Sequence, residues 1–275
     1  MSANLPQLSM IALRLESGIA EVRLNRPDKS NAINDPMWHE IREAFRWADA
    51  EPAARVVVLG GEGRNFCAGI DLSMLAGIPQ RIAARDAARS REALRRIILD
   101  MQDCFTSVER CRKPVLAAIQ GACVGGAIDL ATCCDMRYAS AEAVFSVREV
   151  DVGMAADVGT LQRLPRLVPE GVARELCYTG RNVDAREARE IGLVNQVFES
   201  PEALQEGVAR IAASIAAKSP LAIRGIKRML DYGRDHSVAE GLEYVATWNA
   251  SMLLSDDLGE ALSAMREKRP PKFPD

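Results

Sequence analysis

Twice in this 275-residue chain a short, uninterrupted aliphatic run leads into a glycine-rich turn. Arg55 to Leu59 (R-V-V-V-L) passes into G-G-E-G-R-N-F-C-A-G-I-D, which ends at Asp71. Val115 to Ile119 passes through Gln120 into G-A-C-V-G-G-A-I-D-L, which ends at Leu130. Strands that are apolar at every position are buried on both faces, so they need a layer on each side of their sheet. The Gly125-Gly126 pair stands where a helix begins. Helix starts carry unpaired N–H groups, and without a side chain at Gly126 a ligand oxygen can approach them closely. The same glycines also suit plain helix–sheet packing. Neither turn has the G-x-G-x-x-G spacing of a dinucleotide fold, and the first also reads as a simple turn.

The remaining elements follow from periodicity. Ile11, Leu13 and Leu15, then Ile19, Val22 and Leu24, alternate on either side of Ser17-Gly18 and predict a hairpin. Asp35-Pro36 opens a helix with Asp35 as its cap. Residues 80–110 predict one long helix with Ile97, Ile98, Met101 and Phe105 on a face, and residues 136–139 and 143–146 two short strands. A helix follows over 158–167, then one from Pro169, a short one over 184–191 and a last strand over 194–198. From Pro201 every pattern is helical, giving four amphipathic segments. The expected architecture is α/β, divided into a core over 1–200 and a helical region over 201–275.

Composition narrows the chemistry. A net charge of −3, with arginines and acids interspersed, gives no nucleic-acid signature. No apolar run is long enough for a bilayer, so no membrane partner is expected. The start M-S-A-N-L-P-Q-L-S has no basic-then-apolar leader and the end K-F-P-D is not a peroxisomal address. The seven cysteines are odd in number, lack a C-x-x-C and read as reduced thiols, so the expected location is cytoplasmic. With two histidines, His39 and His236, in unrelated contexts, neither a His-ligated metal nor a Ser-His-Asp triad is expected. Acid–base work would fall to carboxylates and main-chain groups.

One segment is rich in such groups. Phe145 to Leu164 (F-S-V-R-E-V-D-V-G-M-A-A-D-V-G-T-L-Q-R-L) carries Glu149, Asp151 and Asp157 among small and apolar residues. Partial desolvation there raises a carboxyl pKa toward the range of proton transfer. The plainer alternatives are that Asp157 caps the helix starting at Val158, and that Glu149 lies on a surface strand beside a structural Asp151. Asp129 sits one turn inside the helix that follows Gly126.

Taken together, L-N-R-P-D-K-S-N-A-I-N, N-F-C-A-G-I-D-L, K-P-V-L-A-A-I-Q-G-A-C-V-G-G-A-I-D-L, F-S-V-R-E-V-D-V-G, G-T-L-Q-R-L-P-R, T-G-R-N-V-D-A-R-E-A-R-E-I-G-L-V-N and E-K-R-P-P-K-F resemble the crotonase superfamily, the enoyl-CoA hydratase/isomerase group, over almost the whole chain. The resemblance implies a spiral of ββα turns and a C-terminal helical region that forms trimers, commonly paired as hexamers. It implies an acyl-CoA substrate and no further cofactor. It also implies that the N–H groups of Ile70 and Gly126 hold the thioester oxygen, with Ala68, Gly69, Ile70, Asp71 and Leu72 passing along the CoA. Lys29 and Lys268 are the candidates for its phosphates. Hydratases of the group carry a Glu where this chain has Asp129, and commonly P-G-A-G-G-T where it has A-A-D-V-G-T. The added Asp157 and the shorter Asp129 resemble the Δ3,5-Δ2,4-dienoyl-CoA isomerase subgroup. That subgroup implies Glu149 as base at C2, Asp157 as acid at C6 and Asp129 as an auxiliary. A hydratase on the same scaffold and a non-catalytic acyl-CoA-binding protein are the alternatives.

Overall fold

The computed structural model describes residues 5–275. The expected hairpin is β1 (Ile11–Glu16) and β2 (Ile19–Leu24), antiparallel, with Ser17 and Gly18 turning at positive φ. α1 (Asp35–Ala50) follows, then β3 (Val56–Gly61), α2 (Leu72–Arg81) and α3 (Ala87–Arg110). β4 (Val115–Ile119), β5 (Ala122–Val124) and α4 (Gly126–Thr132) form the second strand–turn–helix unit. Next come β6 (Met136–Ser140), β7 (Val144–Ser146), α5 (Thr160–Arg163), α6 (Glu170–Thr179), β8 (Val183–Asp184), α7 (Ala185–Glu190) and β9 (Gln196–Phe198). Four helices close the chain: α8 (Pro201–Ala216), α9 (Pro220–Tyr232), α10 (Val238–Met252) and α11 (Asp256–Glu267).

The chain winds as a spiral between two sheets. The larger has the order β1-β2-β3-β4-β6-β9 and the smaller β5-β7-β8. Successive turns deposit β4 then β5, and β6 then β7, each pairing in parallel with its counterpart in the adjacent turn. The aliphatic strands are two-faced as their composition requires. Val57, Leu59, Val115, Ala117 and Ile119 join the main core. Val56, Val58, Leu116 and Ala118 point the other way, onto Leu204, Val208, Ala212 and Ala216 of α8. Each large aliphatic side chain buried this way contributes roughly 1.5–3 kcal/mol. Strands end at Phe198, yet α8 is the second cover of the sheet and packs as core material.

Three local expectations are corrected. Asn34, rather than Asp35, caps α1, its side chain accepting from the Met37 N–H at 3.1 Å. The long helix expected over 80–110 is broken: α2 ends at Arg81 and α3 restarts behind Asp86, which accepts from the Arg89 N–H at 2.9 Å. The helix expected over 158–167 is one turn of α-helix, α5, followed by a 3-10 turn through Pro165.

Candidate active site

The polar loop after the hairpin sets up the first glycine turn. Asn31 is fully buried in the left-handed region, and its side chain accepts from the Arg26 N–H at 2.8 Å. Its amide donates to the carbonyls of Glu62 and Asn65 at 2.9 and 2.8 Å. Ile33 then pairs in parallel with the 69–71 segment: its N–H donates to Gly69 at 2.8 Å and its carbonyl accepts from Asp71 at 2.9 Å. Successive main-chain groups of an extended segment point to opposite sides. The Ile70 N–H is thereby turned away from Ile33, toward the second glycine turn.

There it meets Gly126. A Cβ built on Gly126 would lie 3.6 Å from the Ile70 nitrogen, and one on Gly69 would lie 3.4 Å from the Gly126 nitrogen and 2.6 Å from the Val124 carbonyl oxygen. Gly69 has φ +94°, so both shape and conformation demand glycine there. Gly126 starts α4, where N–H groups have no intrahelical acceptor. Among the described residues neither the Ile70 nor the Gly126 N–H has a protein acceptor. Two free donors thus face one small space.

The rest of the predicted loop is divided. Ala68 is exposed, as is Leu72 at 64%. Asp71 is engaged in structure: it caps α2 through the Ser73 N–H (3.1 Å) and hydroxyl (2.7 Å) and accepts from Arg26 at 3.1 Å. Arg26 also donates to the Ala32 carbonyl at 2.5 Å, a brace that the N-R-P-D motif contained but periodicity does not reveal. Lys29 and Lys268 are both exposed.

The acids approach from the other side. Glu149 begins a single 3-10 turn, Glu149–Val152, rather than lying on a strand, and Gly153 closes that turn in the left-handed region. Gly125 donates to the Ser146 carbonyl at 2.8 Å, tying β7 to the start of α4. A Cβ on Gly125 would sit 3.6 Å from Oε1 of Glu149, which puts that carboxyl beside the two free N–H groups. Asp151 is exposed and pairs with Arg148 at 3.4 Å, away from this cluster.

Asp129 is fully buried, and its Oδ1 accepts the Thr160 N–H at 2.6 Å. Its other oxygen, Oδ2, and Oε2 of Glu149 are both buried without a donor, and the two carboxyls lie within hydrogen-bonding reach. One proton between them satisfies both. Burial, then the adjacent Asp129 charge, pushes the Glu149 carboxyl up to about 7. Burial also raises Asp129. Asp157 is half-buried and raised by burial, with its own N–H as the only opposing group. It does not cap α5. Gly159 occupies the cap position without a side-chain bond, and Asp129 serves the first N–H instead. The three acids therefore stand on α4, on the 3-10 turn beside the start of α4 and just before α5, with Asp129 linking the last two segments.

Two other features contain none of the three acids, although the first is lined by Gln102, Val158 and Gly159 beside Asp157. A cleft of about 730 Å³ opens beside α5, lined by polar groups including Glu109, Arg163 and Arg234 but by none of the predicted site residues. His39, Asp100 and Cys104 bring potential metal-ligand atoms within 4.8 Å of one another. Arg42 already donates to Asp100 at 2.6 Å and lies 3.2 Å from Nδ1 of His39. A guanidinium there opposes a second cation.

The model of the enoyl-CoA hydratase/isomerase family matches residues 14–275. The chain belongs to that family. Among its relatives, the peroxisomal Δ3,5-Δ2,4-dienoyl-CoA isomerase of Arabidopsis thaliana is 47% identical over 267 residues, covering 97% of this chain and 96% of the relative. The mitochondrial Δ3,5-Δ2,4-dienoyl-CoA isomerase of Homo sapiens is 45% identical over 268 residues, covering 96% and 82%. The crystal structure of an enoyl-CoA hydratase from Bacillus anthracis superposes with a TM-score of 0.87 at 31% identity, covering 97% of this chain and 99% of that one. Both the fold and the dienoyl-CoA isomerase likeness expected from the motifs stand. The cytoplasmic expectation is overturned: these relatives are peroxisomal and mitochondrial enzymes. Buried thiols report only a reducing environment, and organelle addresses are read by receptors rather than written in the fold. Among the described residues no helix is long and apolar enough to cross a membrane.

Proposed function

We propose that this enzyme isomerises 3,5-dienoyl-CoA to 2,4-dienoyl-CoA in fatty acid β-oxidation. Glu149 takes a proton from C2, and the charge spreads along the conjugated system onto the thioester oxygen. The N–H groups of Ile70 and Gly126 stabilise that oxyanion; losing one such donor costs about 2.7–4 kcal/mol of transition-state stabilisation. Asp157 returns a proton at C6, leaving double bonds at C2 and C4. One proton leaves the carbon skeleton and one joins it, no electrons are gained or lost, and no cofactor is needed beyond the CoA of the substrate. Glu149 ends protonated and Asp157 ionised, and exchange with solvent resets both.

The observation that carries this reading is Asp157. It is a partly desolvated acid with a raised pKa, separate from the Glu149–Asp129 pair. Hydration of a single double bond does not require it. Burial disfavours the charged form of this carboxyl, which favours its acting as a proton donor. Asp129 acts as an auxiliary that tunes Glu149 and fixes the start of α5. The test is incubation with 3,5-dienoyl-CoA while following conjugated-diene absorbance. Turnover is expected; hydration of 2-enoyl-CoA without diene turnover would favour a hydratase, and binding without turnover an acyl-CoA-binding module.

The same reading includes assembly into trimers or pairs of trimers. α10 has no buried residue, and Val238 (81% exposed), Leu254 (92%) and Met265 (77%) leave apolar side chains exposed in the C-terminal helical region. Exposed large apolar side chains grouped in one region support a subunit contact. Light scattering behind size exclusion is expected to give about three or six chain masses; a monomer would contradict it.

A further inference from the structure

We propose that Gln102 is a positioning residue for Asp157, holding the main chain that carries the acid delivering a proton to C6. The Gln102 side-chain amide on α3 donates to the Asp157 carbonyl oxygen at 2.6 Å, across 55 residues of sequence. Two further ties lie close by. Seven residues along α3, on the same face of the helix, Glu109 pairs with Arg163 at 2.6 Å. The Arg163 guanidinium lies against Gly159, where a Cβ would fall 1.8 Å from it. Asp129 takes the Thr160 N–H at 2.6 Å. The main chain is therefore held at 157 by α3 and at 160 by α4, with the Arg163 side chain packed against it at 159.

The Asp157 carboxyl, by contrast, has no salt bridge and no side-chain donor among the described residues. Its reach along the acyl chain is set by where its main chain stands. Of the three ties, Gln102 alone acts at residue 157 itself. Unlike the Asp129 tie, it involves neither Asp129 nor Glu149. Removing it should displace the C6 acid and leave the C2 end untouched. A displacement of about 1 Å at a reacting group can cost on the order of 100-fold in rate.

The inference rests on the isomerase reading above, so its test measures both ends of the reaction. Gln102→Met keeps the size and removes the donor; Gln102→Glu keeps the shape and replaces the donor with an acceptor. Both variants and the native enzyme are assayed for diene isomerisation, and for deuterium exchange at C2 of an acyl-CoA in D2O. The expected result is a 10- to 100-fold fall in kcat for isomerisation in both variants, KM within about two-fold, and C2 exchange unchanged. Unchanged kcat in an active enzyme would overturn the inference. A parallel fall in both activities would also overturn it, by showing a general structural role. A native enzyme that exchanges C2 but does not isomerise dienes would overturn the isomerase reading itself, and with it any role for Gln102 at C6.

Discussion

Asp129 of α4 accepts the Thr160 N–H at 2.6 Å, so a buried acid from one turn of the spiral caps the helix that follows Asp157 in the next. The pair couples the oxyanion turn to the segment of the second acid. Asp129→Asn keeps an oxygen for Thr160, whereas Asp129→Ala leaves that buried N–H without a partner at about 1–3 kcal/mol. Thermal melts should show Asp129→Ala well below Asp129→Asn, by about 2–4 °C per kcal/mol. Equal melting temperatures would contradict the capping role.

Glu149 gives the pH dependence. Its carboxyl is held up to about 7 from 4.5, first by burial and then by the Asp129 charge. The base works ionised, so kcat/KM should rise with pH through about 7. Asp129→Asn removes the neighbouring negative charge and should move that limb to lower pH. A limb that stays in place would show that Asp129 does not tune the base.

The same shift has a consequence for stability. The folded chain holds a proton on Glu149 that the unfolded chain has already released between about pH 4.5 and 7, so this stabilising contribution is lost as pH rises through the window. Gln at 149 can donate to the orphaned Oδ2 of Asp129. Glu149→Gln should therefore melt about 2–4 °C higher than the native enzyme at pH 8 while losing isomerisation. A lower melting temperature would count against a strained acid pair.

Gly126→Ala tests the pair of free N–H groups without breaking the fold. The first position of a helix accepts alanine, and the new Cβ would stand 3.6 Å from the Ile70 nitrogen, in the space for the thioester oxygen. A near-native melt with a 100- to 1,000-fold fall in kcat is expected. Near-native kcat would place the oxyanion elsewhere.

The two-faced strands were legible because every one of their positions is apolar, and the glycine turns because few other residues fit them. The acids were legible as a carboxylate-rich segment in apolar company. Their geometry was not. Capping preference weighs only the adjacent residues, so it offered Asp157 as the alternative cap of a helix start that Asp129 serves from 31 residues away. Asp35 lost the cap of α1 to its neighbour Asn34, a choice between two good caps that composition does not make. Gln102 carried no signal, since a glutamine on a helix is ordinary until the partner of its amide is known.

The division of labour between Glu149 and Asp157 is tested most directly with Asp157→Asn, measured for conjugated-diene formation and for C2 deuterium exchange in the same D2O samples. Diene formation should fall about 100- to 10,000-fold while C2 exchange and acyl-CoA affinity stay near native. Full diene formation in Asp157→Asn, or loss of C2 exchange together with it, would contradict the assignment of two carbons to two acids.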